Sequence, residues 1–156
     1  MRNYFLFFFL LLFFNSCQKE VKNNIDTSNI EVEFMINRFE QDFYTNKGDN
    51  LEELKKKYPL LFPKNTPDSI WRAKIKDKDE QELYNETQKL FSSFYDIETE
   101  LRSLFQFITY YNPMFNAPNI ITGLSNIDYD YRVIYNQRLV FISLDVYLGS
   151  KHPFYG

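Results

Sequence analysis

The chain has 156 residues, of which 21 are acidic and 18 are basic, so that its net charge is −3 at pH 7. An acidic balance, with no basic patch interleaved with aromatic residues, argues against nucleic acid as a partner. One cysteine and one histidine exclude a disulfide framework, a cysteine zinc site and a two-histidine metal site built from this chain alone. The four glycines are scattered and form no phosphate-binding loop. From these counts together we expect no cofactor, no metal site and no catalytic residue.

The first 16 residues predict a lipoprotein signal peptide. Arg2 supplies a basic start, and residues 4–14 form an apolar run that is too short to span a bilayer. Ser16 then precedes Cys17, the only cysteine in the chain. We predict cleavage before Cys17 and attachment of acyl chains such as palmitate to it, which would hold the protein to a membrane of the cell envelope, on the periplasmic side or at the cell surface. The alternative is an uncleaved anchor with an incidental cysteine.

The polar segment at residues 17–29 predicts a flexible tether, because it has too few apolar groups to offset its ordering entropy by burial. Its first residues after the cysteine, Gln18, Lys19 and Glu20, resemble the signal that exports lipoproteins of the Bacteroidetes to the cell surface. An ordinary polar linker is the alternative.

Residues 30–156 predict one α+β domain. Apolar and polar residues alternate over residues 30–36, which indicates a half-buried strand at its start. A short helix follows over residues 38–44, in which Phe39 and Phe43, four residues apart, share a face.

Four further helices are predicted from their start signals, which are Asn50 with Glu53, Thr66 with Pro67, Asp77 with Glu80, and Asp96. The last of these helices is the longest and ends before Pro113. Its apolar residues recur at intervals of three and four and predict a buried face: Leu101, Leu104, Phe105, Ile108 and Tyr111. Its polar residues Glu98, Arg102, Gln106 and Thr109 lie opposite.

The composition then changes to that of β-structure. Strands are predicted at residues 119–122, 131–135 and 138–144, and the last two join across Asn136 and Gln137 as a hairpin. The expected fold is therefore an N-terminal strand, several amphipathic helices and a sheet that contains a β-hairpin.

Candidates for chemistry are few. His152 precedes Pro153 near the C-terminus and is expected in a loop. Two carboxylate pairs, Glu82 with Glu86 and Asp128 with Asp130, lack a third ligand and are expected at the solvated surface. Six aromatic residues could line a groove for a peptide or glycan, although their spacing favours core packing: Tyr110, Tyr111, Phe115, Tyr129, Tyr131 and Tyr135.

Five sequence blocks, in order behind the lipoprotein signal, resemble the gliding motility lipoprotein GldB family of the Bacteroidetes. They are Arg38-Phe39-Glu40 with Phe43; Tyr58-Pro59 with Phe62-Pro63; Thr66-Pro67-Asp68-Ser69-Ile70-Trp71; Tyr110-Tyr111-Asn112-Pro113 with Phe115; and Asp145-Val146-Tyr147-Leu148-Gly149 before His152-Pro153-Phe154-Tyr155. The resemblance implies a role in gliding and the linked type IX secretion machinery, through contacts with other envelope proteins.

The resemblance also implies that the chain is the N-terminal half of a longer domain, because members of that family are roughly twice as long. The family is distantly similar to zinc metallopeptidases, whose metal-binding helix would lie beyond Gly156. Three hypotheses follow: a non-enzymatic component of the gliding apparatus, a fragment of a membrane-tethered metallopeptidase-like protein, and a glycan-binding lipoprotein. We further expect the strand at residues 138–144 to leave an exposed sheet edge and to make the isolated domain poorly soluble.

Overall fold

The computed structural model describes residues 25–45, 48–136 and 138–155. Within these residues the chain forms five α-helices and one four-stranded mixed sheet, which confirms the predicted α+β class. One strand comes first, the helices follow, and the remaining three strands come last, in the order that the sequence indicates. The predicted signal peptide and most of the predicted tether lie outside the described residues.

The predicted N-terminal strand forms only at its end, where β1 comprises Ile36–Arg38. The preceding residues 31–35 have no regular secondary structure, although half-buried side chains alternate with exposed ones as predicted. Met35 already pairs with the sheet, since its carbonyl accepts the Ile120 N–H at 2.8 Å, whereas the residues before it lie against a helix. The side chains of Arg102 and Gln106 donate hydrogen bonds to backbone carbonyls of this segment, at Val32 and Ile30, in place of a strand ladder.

All five predicted helices are present. Their bounds are α1 (Phe39–Thr45), α2 (Leu51–Lys57), α3 (Asp68–Lys76), α4 (Lys78–Leu90) and α5 (Tyr95–Tyr111).

The predicted cap of α4 is correct, because the Asp77 carboxylate accepts the backbone N–H of Asp79 at 3.0 Å and that of Glu80 at 3.1 Å. The predicted cap of α5 is wrong. Phe94 occupies that position, and Asp96 lies within the first turn, where its charge complements the helix dipole.

The starts of α2 and α3 also differ in detail from the prediction. Asn50 precedes α2 as predicted, but its side chain makes no capping hydrogen bond. In α3 the cap position belongs to Pro67 and not to Thr66, so the helix begins one residue later than the proline signal indicates.

The sheet has the strand order β1-β2-β4-β3, where β2 is Asn119–Gly123, β3 is Val133–Asn136 and β4 is Leu139–Ser143. β1 and β4 both run parallel to β2, while β3 and β4 are antiparallel. The hairpin is confirmed, with Asn136 paired to Leu139. The predicted exposed edge is placed wrongly, because β4 lies inside the sheet and β3 forms the edge.

The core is an aromatic cluster built mainly by α1, α2 and the loop that follows them. Phe39 lies 5.0 Å from Tyr58 and 5.8 Å from Phe62 between ring centroids, and Phe62 lies 4.8 Å from Trp71. Phe141 of β4 packs against this cluster from the sheet. A Cβ on Gly123 would lie 2.7 Å from the Phe141 ring, so the close approach of β2 to that ring requires glycine. Three of the five family-like blocks therefore supply residues to this aromatic cluster.

Candidate interaction surface

His152 and Glu86 are separate candidates in the sequence, but they lie next to each other in the structure. His152 Nε2 lies 3.4 Å from Glu86 Oε2, and Lys89 pairs with the same carboxylate. The hydrogen bond from Lys89, followed by that from His152, lowers the pKa of Glu86. Glu82, the other member of the predicted pair, is exposed. The group is thus an ion cluster at the protein surface.

The second carboxylate pair has a local structural role. The Asp128 side chain accepts the backbone N–H of Asp130 at 3.0 Å and caps the 3-10 turn Tyr129–Tyr131. Across the described residues, no group of three or more His, Cys, Asp and Glu side chains could hold a metal ion.

A buried ion pair within the Arg38-Phe39-Glu40 block was not predicted. Glu40 is fully buried, pairs with Arg38 and accepts the Thr122 hydroxyl at 2.6 Å. Arg38 also donates to the Phe91 carbonyl at 2.9 Å and lies 4.2 Å from the centroid of the Phe94 ring. These contacts join α1, β2 and the end of α4. The only sequence signal was an acidic residue on the apolar side of a short helix.

A second buried carboxylate, Asp145, organises the loop after β2. It accepts the backbone N–H of Ser125 at 3.1 Å and that of Ile127 at 2.6 Å. Asn126 and Ile127 both have positive φ, at 59° and 61°, a conformation that costs a β-branched residue about 1–2 kcal/mol. The carboxylate therefore stabilises a strained turn, and the Tyr155 hydroxyl donates to the Asp145 backbone carbonyl at 2.7 Å.

Both buried carboxylates thus make structural contacts. Exposed apolar side chains form two further features of the described chain. The predicted buried face of α5 is correct only in part, because Phe105 is fully buried and Leu101 and Ile108 are half-buried, whereas the other two residues are exposed. Leu104 is 51% exposed and Tyr111 is 71% exposed. Arg102 and Gln106, predicted to face solvent, instead contact the segment before β1. We call the exposed residues at the end of this helix the α5 stripe: Leu104, Phe107, Tyr110, Tyr111 and Met114.

A second apolar surface lies at the hairpin. Every described residue of β3 is exposed, and the 3-10 turn before it adds two exposed tyrosines. We call this the hairpin surface: Tyr129, Tyr131, Val133, Ile134 and Tyr135. The spacing of these tyrosines favoured packing in the core, and that prediction is wrong. Of the six aromatic residues named as a possible groove, Phe115 alone is half-buried, against Phe105 at 5.8 Å.

Comparison with known proteins decides the family. A family model described as gliding motility protein GldB matches residues 20–156, which is most of the chain. The chain belongs to the GldB family. No curated protein and no solved structure matches it. All five blocks that resemble the family fall inside the matched range, and several of their residues form the aromatic core and the two buried carboxylate sites of this GldB-family chain.

The name of the family model also designates a lipoprotein family. Among the described residues, no helix has both the length and the apolar character needed to cross a membrane. Cys17, the predicted lipidation site, lies outside the described residues.

Proposed function

We propose that this GldB-family chain is a non-enzymatic lipoprotein of the cell envelope that serves gliding motility and the linked type IX secretion machinery by contacting other envelope proteins. The family match over residues 20–156 carries the proposal. The described side chains agree with a binding role, since both fully buried carboxylates are engaged in structural contacts.

Anchoring is assigned to Cys17. It lies three residues before the matched region, behind an apolar run of the length of a signal peptide. Two or three acyl chains on one cysteine suffice for stable membrane attachment, whereas a single chain binds reversibly.

Protein contact is assigned to the hairpin surface. Tyrosine is enriched at protein interfaces because its ring buries a large apolar area while its hydroxyl keeps a polar partner. Tyr131 and Val133 are 54% and 49% exposed and stand beside the open edge of the sheet. An exposed apolar sheet edge of this kind favours association with another chain.

The anchor is tested in the cells that make the protein, by replacing the native copy with Cys17→Ala. We expect the wild-type protein in the membrane fraction to have the intact mass of an acylated chain that begins at Cys17. We expect the variant to lose the acyl mass and the cells to lose spreading. Ser28→Ala serves as the matched control in the same N-terminal region. An unacylated wild-type protein that still supports spreading would refute the anchor.

The contact surface is tested separately with Tyr131→Ala combined with Val133→Asp. We expect the double variant to remain acylated and membrane-bound while spreading falls, because only the contact is removed. Tyr95→Ala is the control, since Tyr95 is 76% exposed and belongs to neither surface. Normal spreading by the double variant at wild-type abundance would exclude the hairpin surface.

A further inference from the structure

The α5 stripe is a continuous apolar face directed away from the core. Leu104, Phe107 and Tyr111 recur at spacings of three and four and therefore share one side of the helix. Phe105, one residue from the stripe, points inward and meets Phe34 at 5.0 Å between ring centroids. Met114, just beyond the helix, is 85% exposed. Such an exposed apolar face indicates a site of contact with a protein or a membrane.

The chain that leads back to Cys17 leaves the domain beside this stripe. Gln106 donates to the Ile30 carbonyl at 2.9 Å, and the Ile30 N–H donates to the Thr27 carbonyl at 3.0 Å. Tyr110 lies four residues after Gln106, which places it one turn further along the same side of α5. The N-terminal segment and the stripe are therefore neighbours at one end of the domain.

The distance from the anchor to this point is short. Thr27 is already buried in the domain, and it lies ten positions after Cys17 in the sequence. A fully extended chain covers at most about 3.5 Å per residue, so Thr27 cannot lie more than about 35 Å from an acylated Cys17. The anchor thus limits how far this end of the domain can lie from the bilayer.

The chemistry of the stripe also suits a bilayer. The sequence contains no Asp, Glu, Lys or Arg from Ser103 to Ile127. Contact with lipid at this end of α5 therefore requires no charged side chain from that stretch to lose its water. Tyrosines such as Tyr110 and Tyr111 are suited to the headgroup level, where the ring meets hydrocarbon and the hydroxyl stays in water.

From these observations we infer that the α5 stripe rests on the lipid bilayer that holds Cys17, so that the protein contacts its membrane through a protein face as well as through acyl chains. The inference rests on the proposed anchoring. The contact would orient the domain relative to the bilayer. α5 is bound to the segment that enters β1 at one edge of the sheet, which would face the membrane. The hairpin surface at the opposite edge would then be available to proteins.

The experiment uses the protein purified from the membrane fraction of the cells that make it, in phosphatidylcholine vesicles whose acyl chains carry bromine, a quencher of tryptophan fluorescence. Trp71 is the only tryptophan, so the wild type sets the baseline. Tyr111→Trp reports on the stripe, and Tyr131→Trp on the hairpin surface is the matched control. We expect bromine to reduce the added fluorescence of Tyr111→Trp and to shift its emission to shorter wavelength, with neither change for Tyr131→Trp.

Equal quenching of the two variants would overturn the inference. So would a Tyr111→Trp signal that is shielded from aqueous acrylamide but not quenched by bromine, because a second copy of the protein would then cover the stripe. The intact mass of the same sample separates this inference from the anchor. An acylated protein without quenching refutes the lipid contact alone. An unacylated protein with quenching refutes the anchor alone. An unacylated protein without quenching refutes both.

Discussion

Glu40 shows how one residue can hold three elements together. Its carboxylate is fully buried, and its partners Arg38 and Thr122 come from the end of β1 and from β2. Removing one member of a buried ion pair leaves the other charge without compensation, which costs far more than loss of an exposed pair.

We therefore predict that Glu40→Ala lowers the free energy of unfolding by about 3–5 kcal/mol. Glu82→Ala on the exposed side of α4 is the control and should change it by less than about 0.5 kcal/mol. Urea unfolding, followed by the fluorescence of Trp71, measures both variants. A loss below about 1 kcal/mol for Glu40→Ala would show that Arg38 finds another partner or reaches water.

Tyr44 provides a second test at the level of one residue. Burial, and then the hydrogen bond that its hydroxyl donates to Glu80, raises the pKa of Tyr44 well above the ordinary value. In the unfolded chain a tyrosine loses its proton at about pH 10, whereas Tyr44 in the folded protein is still protonated at that pH. The stabilisation is therefore complete below about pH 10 and decreases as the pH rises, by about 1.4 kcal/mol per pH unit.

We predict that Tyr44→Phe makes the decline of stability between about pH 10 and about pH 11.5 shallower by this amount, because the group that titrates only in the unfolded state is gone. Urea unfolding at a series of pH values measures the slope. Tyr95→Phe, at an exposed position, should leave the slope unchanged. If both variants give the wild-type slope, Tyr44 titrates normally in the folded protein.

At the scale of the elements, the sequence identified helices more reliably than it identified their caps. Asp77 and Asp96 look alike as start signals, since each carboxylate precedes a helical apolar pattern. In the structure Asp77 accepts two backbone N–H groups, while Asp96 already lies within the first turn. Which acidic residue becomes the cap depends on where the preceding chain turns, and packing of Phe91 and Phe94 fixes that turn, with Arg38 lying over the Phe94 ring.

We predict that Asp77→Ala lowers the free energy of unfolding by about 1 kcal/mol, since two N–H groups lose their acceptor. Asp96→Ala should cost about 0.5 kcal/mol or less, because only the interaction with the helix dipole is lost. Both values come from urea unfolding at one pH. Equal losses would mean that Asp96 also accepts a backbone hydrogen bond in solution.

At the scale of the whole molecule, we expect the two exposed apolar surfaces to govern solution behaviour. The prediction of poor solubility stays untested, but the structure changes the residues held responsible, since the open edge is β3 and not β4. Edge strands without a charged residue promote association between chains.

We predict that Val133→Lys raises the soluble yield of residues 18–156 and reduces their aggregation, because a charge on the edge strand opposes pairing between copies. The unfolding free energy should change by less than about 0.5 kcal/mol, as expected for a surface position. Size-exclusion chromatography and urea unfolding measure the two effects. Asn85→Lys, at an exposed position of α4 that belongs to neither apolar surface, is the control. A wild-type protein that is already monomeric and highly soluble would contradict the prediction.

Local sequence signals by themselves determined the α+β class, the order of the elements and the hairpin. Helix periodicity, prolines and β-branched runs act between residues close in the chain, so they can be read without the fold. The signal peptide and the lipidation of Cys17 stay predictions, which were likewise made from a contiguous apolar run.

Only the tertiary structure decided which apolar residues are buried and which acidic residues are inside. Leu104 and Tyr111 match the helical period as well as Phe105 does, yet the segment before β1 covers just one side of α5. In the sequence, Glu40 and Asp145 cannot be told from acidic residues at the surface. Their partners, Thr122 for Glu40 and the turn at Ser125 for Asp145, come from distant parts of the chain. Burial and long-range pairing depend on how elements pack, and residue spacing alone does not specify that packing.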